Sequence, residues 1–77
     1  DKHNTRKALG DTYAELGFQY FEQNRHDLAI EAYQQTLDLN PDDRLARISL
    51  GWLFYFQGRW QEAIDQHRLA LEHEVDS

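Results

Sequence analysis

Shifted by 34 positions and laid on itself, the chain matches without a gap. Leu16-Gly17 falls on Leu50-Gly51, Gln23 on Gln57, Arg25 on Arg59, Ala29-Ile30 on Ala63-Ile64, Leu37 on Leu71 and Asp42 on Asp76. Bulky positions agree in kind, with Phe18 on Trp52, Tyr20 on Phe54 and Phe21 on Tyr55. A self-match of this period constrains the fold more than any other feature. Each copy must be one supersecondary unit whose apolar face is buried by stacking on its neighbour.

The unit is helical. Ala, Leu, Gln, Glu and Arg fill most positions, with one proline and four glycines in 77 residues. Gly58 suits a left-handed stop after an apolar helical run, and Asn24 can do the same in the first copy. Asn40-Pro41-Asp42-Asp43 reads as a helix start, with Asn40 as N-cap, Pro41 in the first helical position and the acids at the positive helix end. These breaks predict helices over about residues 4–23, 26–39, 42–57 and 60–73. Loops of about two or three residues then fold each helix back antiparallel on the one before. Gly17 and Gly51 fall mid-helix, where glycine costs about 0.8–1 kcal/mol relative to alanine, so close approach of the paired helix must compensate. Ala29 and Ala63 are the small residues expected on that partner. Leu16, Tyr20, Leu50 and Phe54 are expected between paired helices, and Ile30, Leu37, Ile64 and Leu71 on a stripe directed at the next repeat.

These residues resemble the tetratricopeptide repeat, whose 34-residue pattern is W-x2-L-G-x2-Y, then A-x3-F, then P. The first copy reads Tyr13-x2-Leu16-Gly17-x2-Tyr20, Ala29-x3-Tyr33, Pro41; the second reads Arg47-x2-Leu50-Gly51-x2-Phe54, Ala63-x3-His67, Val75. The resemblance implies an all-α fold, an α-solenoid of two antiparallel helix–turn–helix hairpins forming a fragment of a right-handed superhelix. Residues 1–9 read as an N-terminal extension of the first helix, 10–43 as repeat 1 and 44–77 as repeat 2. Arg47, His67, His73 and Val75 depart from the pattern and mark the second copy as a degenerate C-terminal end of the array.

By the same resemblance, the first helix of each hairpin lines a concave groove that takes a peptide or helix. Its residues here would be Asp11, Ala14, Phe18 and Phe21, then Leu45, Ile48, Trp52 and Tyr55, with Ser49 and Phe56 at the margins. The residues themselves agree on one point. Leu45, Ile48, Leu50, Trp52, Leu53, Phe54, Tyr55 and Phe56 surround the third helix with apolar side chains, and two hairpins cannot bury every face of it. The expected function is a non-enzymatic protein-interaction module, an adaptor or scaffold binding through this aromatic groove. The alternative is a structural unit that forms homo-oligomers through the groove and the end face of Trp60, Ile64 and Leu71, an open end that must be capped or covered. Family members that grip a C-terminal carboxylate use Lys, Asn and Arg on these helices, whereas Ala14, Phe18, Leu45 and Ser49 stand here, so that clamp is absent.

Other classes are marked down by composition. The net charge of −6 and pI near 5.0 argue against a nucleic-acid partner. The apolar run Leu50–Phe56 is far shorter than a membrane span, and no basic leader with an apolar stretch is seen, so an intracellular, cytoplasmic setting without membrane insertion is expected. Absence of cysteine removes thiol chemistry and Cys-based zinc sites. His67 and His73 are six apart, on opposite sides of a helix, so no metal is expected. No nucleophile–base pair or phosphate loop has a motif context, so neither catalysis nor a cofactor is expected. Glu74-Val75-Asp76 resembles an acidic chaperone tail but lies inside the repeat frame.

Overall fold

The computed structural model describes the backbone of residues 1–75 and the side chains of residues 1–72. In that range the chain forms α1 (Lys2–Glu22), α2 (His26–Leu39), α3 (Arg44–Phe56) and α4 (Trp60–Val75). The fold is all-α, with the helices packed in pairs: α1 on α2, α3 on α4, and α3 also against α2.

The two hairpin turns are built identically. Asn24, at φ 60°, and Gly58, at φ 76°, hold the left-handed position just past a helix end. Arg25 N–H donates to the Tyr20 carbonyl at 2.9 Å and Asn24 N–H to Phe21 at 3.0 Å. The second turn repeats this, with Arg59 N–H to Phe54 at 2.8 Å and Gly58 N–H to Tyr55 at 3.0 Å. Both are Schellman closures, which satisfy the last carbonyls of the helix while reversing the chain.

The start of α3 differs from the sequence expectation. Asp43, not Asn40, is the N-cap, its carboxylate accepting from Ala46 N–H at 3.0 Å. Asn40 instead ends α2, and its amide Nδ2 donates to the Arg6 carbonyl on α1 at 3.4 Å. Pro41 and Asp42 form a turn closed by Asp43 N–H on the Asn40 carbonyl at 3.0 Å. Proline disfavours helical backbone in the residue before it, and Asn40 accordingly sits at φ −132°, ψ 81°.

Gly17 and Gly51 mark close approaches of the paired helix, as expected, and the nearest atoms there are rings. A Cβ on Gly17 would lie 2.9 Å from the Tyr33 ring, and one on Gly51 2.6 Å from the His67 ring. His67 thus takes the place over its glycine that Tyr33 takes over the other. Arg47, the second departure, ties α4 to the α2–α3 turn: Nη1 donates to Gln66 Oε1 at 3.3 Å and Nη2 to the Pro41 carbonyl at 3.0 Å. At the third, Val75 stands where the first copy has Pro41, and α4 includes it. The His73 side chain and residues 76–77, including Asp76 of the acidic tail, lie outside the described residues.

The core gathers Ala29, Ile30 and Tyr33 of α2 with Ala46, Leu50, Leu53 and Phe54 of α3 and Ala63 of α4. Burying a leucine or phenylalanine side chain stabilises by about 1.5–3 kcal/mol, so α3, covered by α2 on one side and α4 on the other, anchors the fold. Leu16 lies between α1 and α2, as expected, but at their open edge. It is 38 % exposed, lying with Tyr13, Tyr20 and Leu28 on the outer surface. Its counterpart Leu50 is buried, with α2 of the preceding hairpin packed on α3. Among the described residues no helix is long and apolar enough to cross a membrane.

Candidate partner-binding groove

The groove lies between α1 and α3, and helical spacing builds both walls. Ala14, Phe18 and Phe21 recur along one face of α1. Leu45, Ser49, Trp52 and Phe56 recur at four, three and four residues along one face of α3. Tyr33, from α2, and Leu53 lie beneath them and are almost fully buried. The deeper half is a cavity of about 420 Å³ lined by Phe18, Phe21, Tyr33, Ser49, Trp52, Leu53 and Phe56. A shallower half of about 380 Å³ continues past Ala14, Glu15, Gln19, Leu45 and Ala46. Phe18, Trp52 and Phe56 remain 53, 48 and 55 % exposed, so large apolar walls stand open above a packed floor.

Aromatic rings touch along the groove. Phe56 lies 6.1 Å from Phe21 and 6.3 Å from Trp52, centroid to centroid. The His26 ring, at the start of α2, stacks on Phe21 at 5.8 Å. Trp52 meets the His67 ring edge-on at 5.2 Å, which braces it from α4. Such offset and edge contacts contribute about 0.5–1.5 kcal/mol beyond area burial, and they hold the rings in position. The Tyr33 phenol is held above its usual range by burial, partly offset by a hydrogen bond with Ser49. The floor is therefore neutral at physiological pH. Among the described residues no charged side chain lines the deeper cavity. A clip of polar groups on the edge joins the hairpins: Gln57 Nε2 donates to Asp27 Oδ1 at 2.9 Å, and Arg59 donates to Gln57 Oε1 and to Glu62.

Of the residues expected in the groove, seven come together: Ala14, Phe18, Phe21, Leu45, Ser49, Trp52 and Phe56. Asp11 does not line it. That carboxylate turns to Lys7, 3.1 Å away, beside the turn at Asn40–Asp43. Ile48 is half-buried and lines neither half. Tyr55 stands at the rim, edge-on to Trp52 at 5.6 Å and to Trp60 at 5.3 Å, so it links the groove to the end face. Trp60, Ile64 and Leu71 are 59, 47 and 57 % exposed on that end. Sequence reasoning missed Tyr33, Leu53 and His26. Tyr33 was visible as the aromatic of the A-x3-F step, but nothing local showed that its ring reaches between α1 and α3. Among the described residues no three His, Asp or Glu side chains gather where an ion could sit.

The tetratricopeptide repeat family model matches residues 15–74. The chain belongs to the tetratricopeptide repeat family. Curated tetratricopeptide relatives include human tetratricopeptide repeat protein 13, 34 % identical over 64 residues, which cover 83 % of this chain and 7 % of that protein. The human protein O-mannosyl-transferase TMTC1 is 31 % identical over 92 % of this chain and 8 % of its own length. The uncharacterized protein ycf37 of Cyanophora paradoxa is 34 % identical over 92 % of this chain and 41 % of its own. Among solved structures, a crystal structure of MamA superposes with a TM-score of 0.85 at 36 % identity, covering 87 % of this chain and 39 % of that one. The chain therefore spans less than half the length of each of these relatives. Tetratricopeptide repeats generally serve protein–protein interaction, and an exposed aromatic cluster is present here.

Proposed function

We propose that this pair of tetratricopeptide-like hairpins is a non-catalytic interaction module, holding an apolar or aromatic segment of a partner protein between α1 and α3. The observation that carries this reading is the open cleft of about 420 Å³ with Phe18, Trp52 and Phe56 standing half-exposed around the buried Tyr33 and Leu53. An exposed apolar patch of this kind is uncommon on a monomer and marks an interaction site. A partner helix fits by placing apolar residues at i, i+3 and i+7 against the two walls. The transferase named among the relatives overlaps this chain over 8 % of its own length. That overlap falls on the repeat, and we carry no transferase chemistry to this chain.

A peptide array identifies ligands, and titration calorimetry then compares the parent chain with Phe18→Ala and Trp52→Ala. Loss of about ten- to thirty-fold in affinity in each is expected, as for truncation of a central aromatic anchor. Unchanged affinity in both variants would remove the cleft from the site. A second reading, a homo-oligomer, is favoured by the exposure of Trp60, Ile64 and Leu71. Sedimentation velocity over a wide concentration range decides it, and a monomer throughout would sink it.

A further inference from the structure

The groove grades from apolar to charged along its length. At the deeper end the Phe21 and Phe56 rings lie 6.1 Å apart. Tyr33 and Ser49 belong to both halves, and their hydroxyls bond one another. In the shallower half stands Glu15, the only charged side chain among the described residues that line either half. Its carboxylate is exposed and, among the described residues, takes part in no ion pair or hydrogen bond. Lys7 on α1 is held by Asp11, and Arg47 on α3 is held by Gln66 and the Pro41 carbonyl.

A partner laid along the groove strips water from Glu15. A wholly apolar segment would leave that carboxylate unpaired in low-dielectric surroundings, which is strongly unfavourable. A lysine or arginine at that point pairs with it instead. The net charge of −6 acts in the same sense at longer range, drawing in basic partners and repelling a second copy of the chain. Resting on the groove reading above, we propose that the partner segment is a basic amphipathic helix. Its apolar or aromatic anchor packs against Phe18, Trp52 and Phe56, and its lysine or arginine faces Glu15. The two partner residues stand about one helical turn apart, because Glu15 precedes Phe18 by about 5 Å along α1. Glu15 then selects among apolar segments by the charge they carry at that one position.

The test uses synthetic amphipathic helices with a fixed apolar stripe and lysine, glutamine or glutamate one turn to either side of the anchor. Each is titrated against the parent chain, Glu15→Gln and Glu15→Lys. On the parent, lysine peptides should bind roughly two- to five-fold tighter than glutamine peptides. That advantage should shrink in about 1 M salt, where charges are screened within about 3 Å. Glu15→Gln should erase the preference, and Glu15→Lys should turn it toward the glutamate peptides. No preference on the parent, or the same lysine preference on Glu15→Gln, overturns the inference. So does a dimer of the parent chain that Arg68→Ala dissociates, since the exposed Arg68 would then bring the cation from a second copy. Trp52→Ala keeps the two readings apart. Binding that it leaves intact removes the groove itself. Binding that it weakens, with lysine still preferred on Glu15→Gln, removes only the pairing with Glu15.

Discussion

The Thr36 hydroxyl, fully buried, donates to the Gly10 carbonyl at 3.0 Å and so bonds α2 to α1 across the first hairpin. It also lies 3.3 Å from the Ala32 carbonyl of its own helix. A Cβ on Gly10 would meet the Asn40 amide, which reaches over to Arg6, and would push it aside. Thr36 and Asn40 together hold the long α1 against the end of α2. Thr36→Val keeps the shape and removes the bond, and is expected to lower stability by about 1–2 kcal/mol in urea unfolding. Thr36→Ser should lose less, because it keeps the hydroxyl.

Gly51→Ala pits helix propensity, a gain of about 1 kcal/mol, against overlap with the His67 ring. The ring would lie 2.6 Å from the new Cβ. Overlap wins, with a net loss of about 1–2 kcal/mol. Combined with His67→Ala, the loss should be smaller than the sum of the two single variants, a coupling that a double-mutant cycle in urea measures.

The two turns make an internal comparison. Gly58→Ala places a side chain at φ 76° and should cost about 1 kcal/mol. Asn24→Gly at φ 60° should be near neutral or slightly stabilising, because asparagine already carries part of that strain. Thermal midpoints of the two variants check the contrast.

Stability should fall at the alkaline end for an identifiable reason. Burial raises Tyr33 above 10.0, so the folded form keeps a proton that the unfolded chain releases. That contribution is complete below pH about 10 and is lost as pH climbs through the raised folded value. Tyr33→Phe should flatten this alkaline slope. On the acid side, the hydrogen bond from Arg59 holds Glu62 below 4.5. Its contribution is present above the unfolded value and is lost as pH falls through the folded one. Both side chains are exposed, so Glu62→Gln should change the acid limb only slightly.

The helices were legible because their stops are local. Asn24 and Gly58 announce turns whose bonds close within six residues, and the 34-residue repeat fixes which helices pair. The start of α3 was not legible from local signals. Asn40-Pro41-Asp42-Asp43 offers two caps within four residues, and the choice is made from outside by α1, whose Arg6 carbonyl engages Asn40. In the groove, positions on α1 and α3 could be placed by helical spacing alone. The floor could not, since Tyr33 arrives from α2, and only the packed hairpin shows its ring lying over Gly17. The departures His67 and Arg47 looked like decay of the pattern. In place, one fills the space over Gly51 and the other ties Gln66 to Pro41.

The two Schellman turns also bear on how fast the molecule is made. Each reverses the chain with bonds of very short range, and helix packing concentrates between neighbours in sequence. Little loop-closure entropy then stands before the first rewarding contacts, which places the folding time in roughly the microsecond to millisecond range of low-contact-order helical domains. Either hairpin can form first and template the other, with α2 and α3 as the surface across which order spreads.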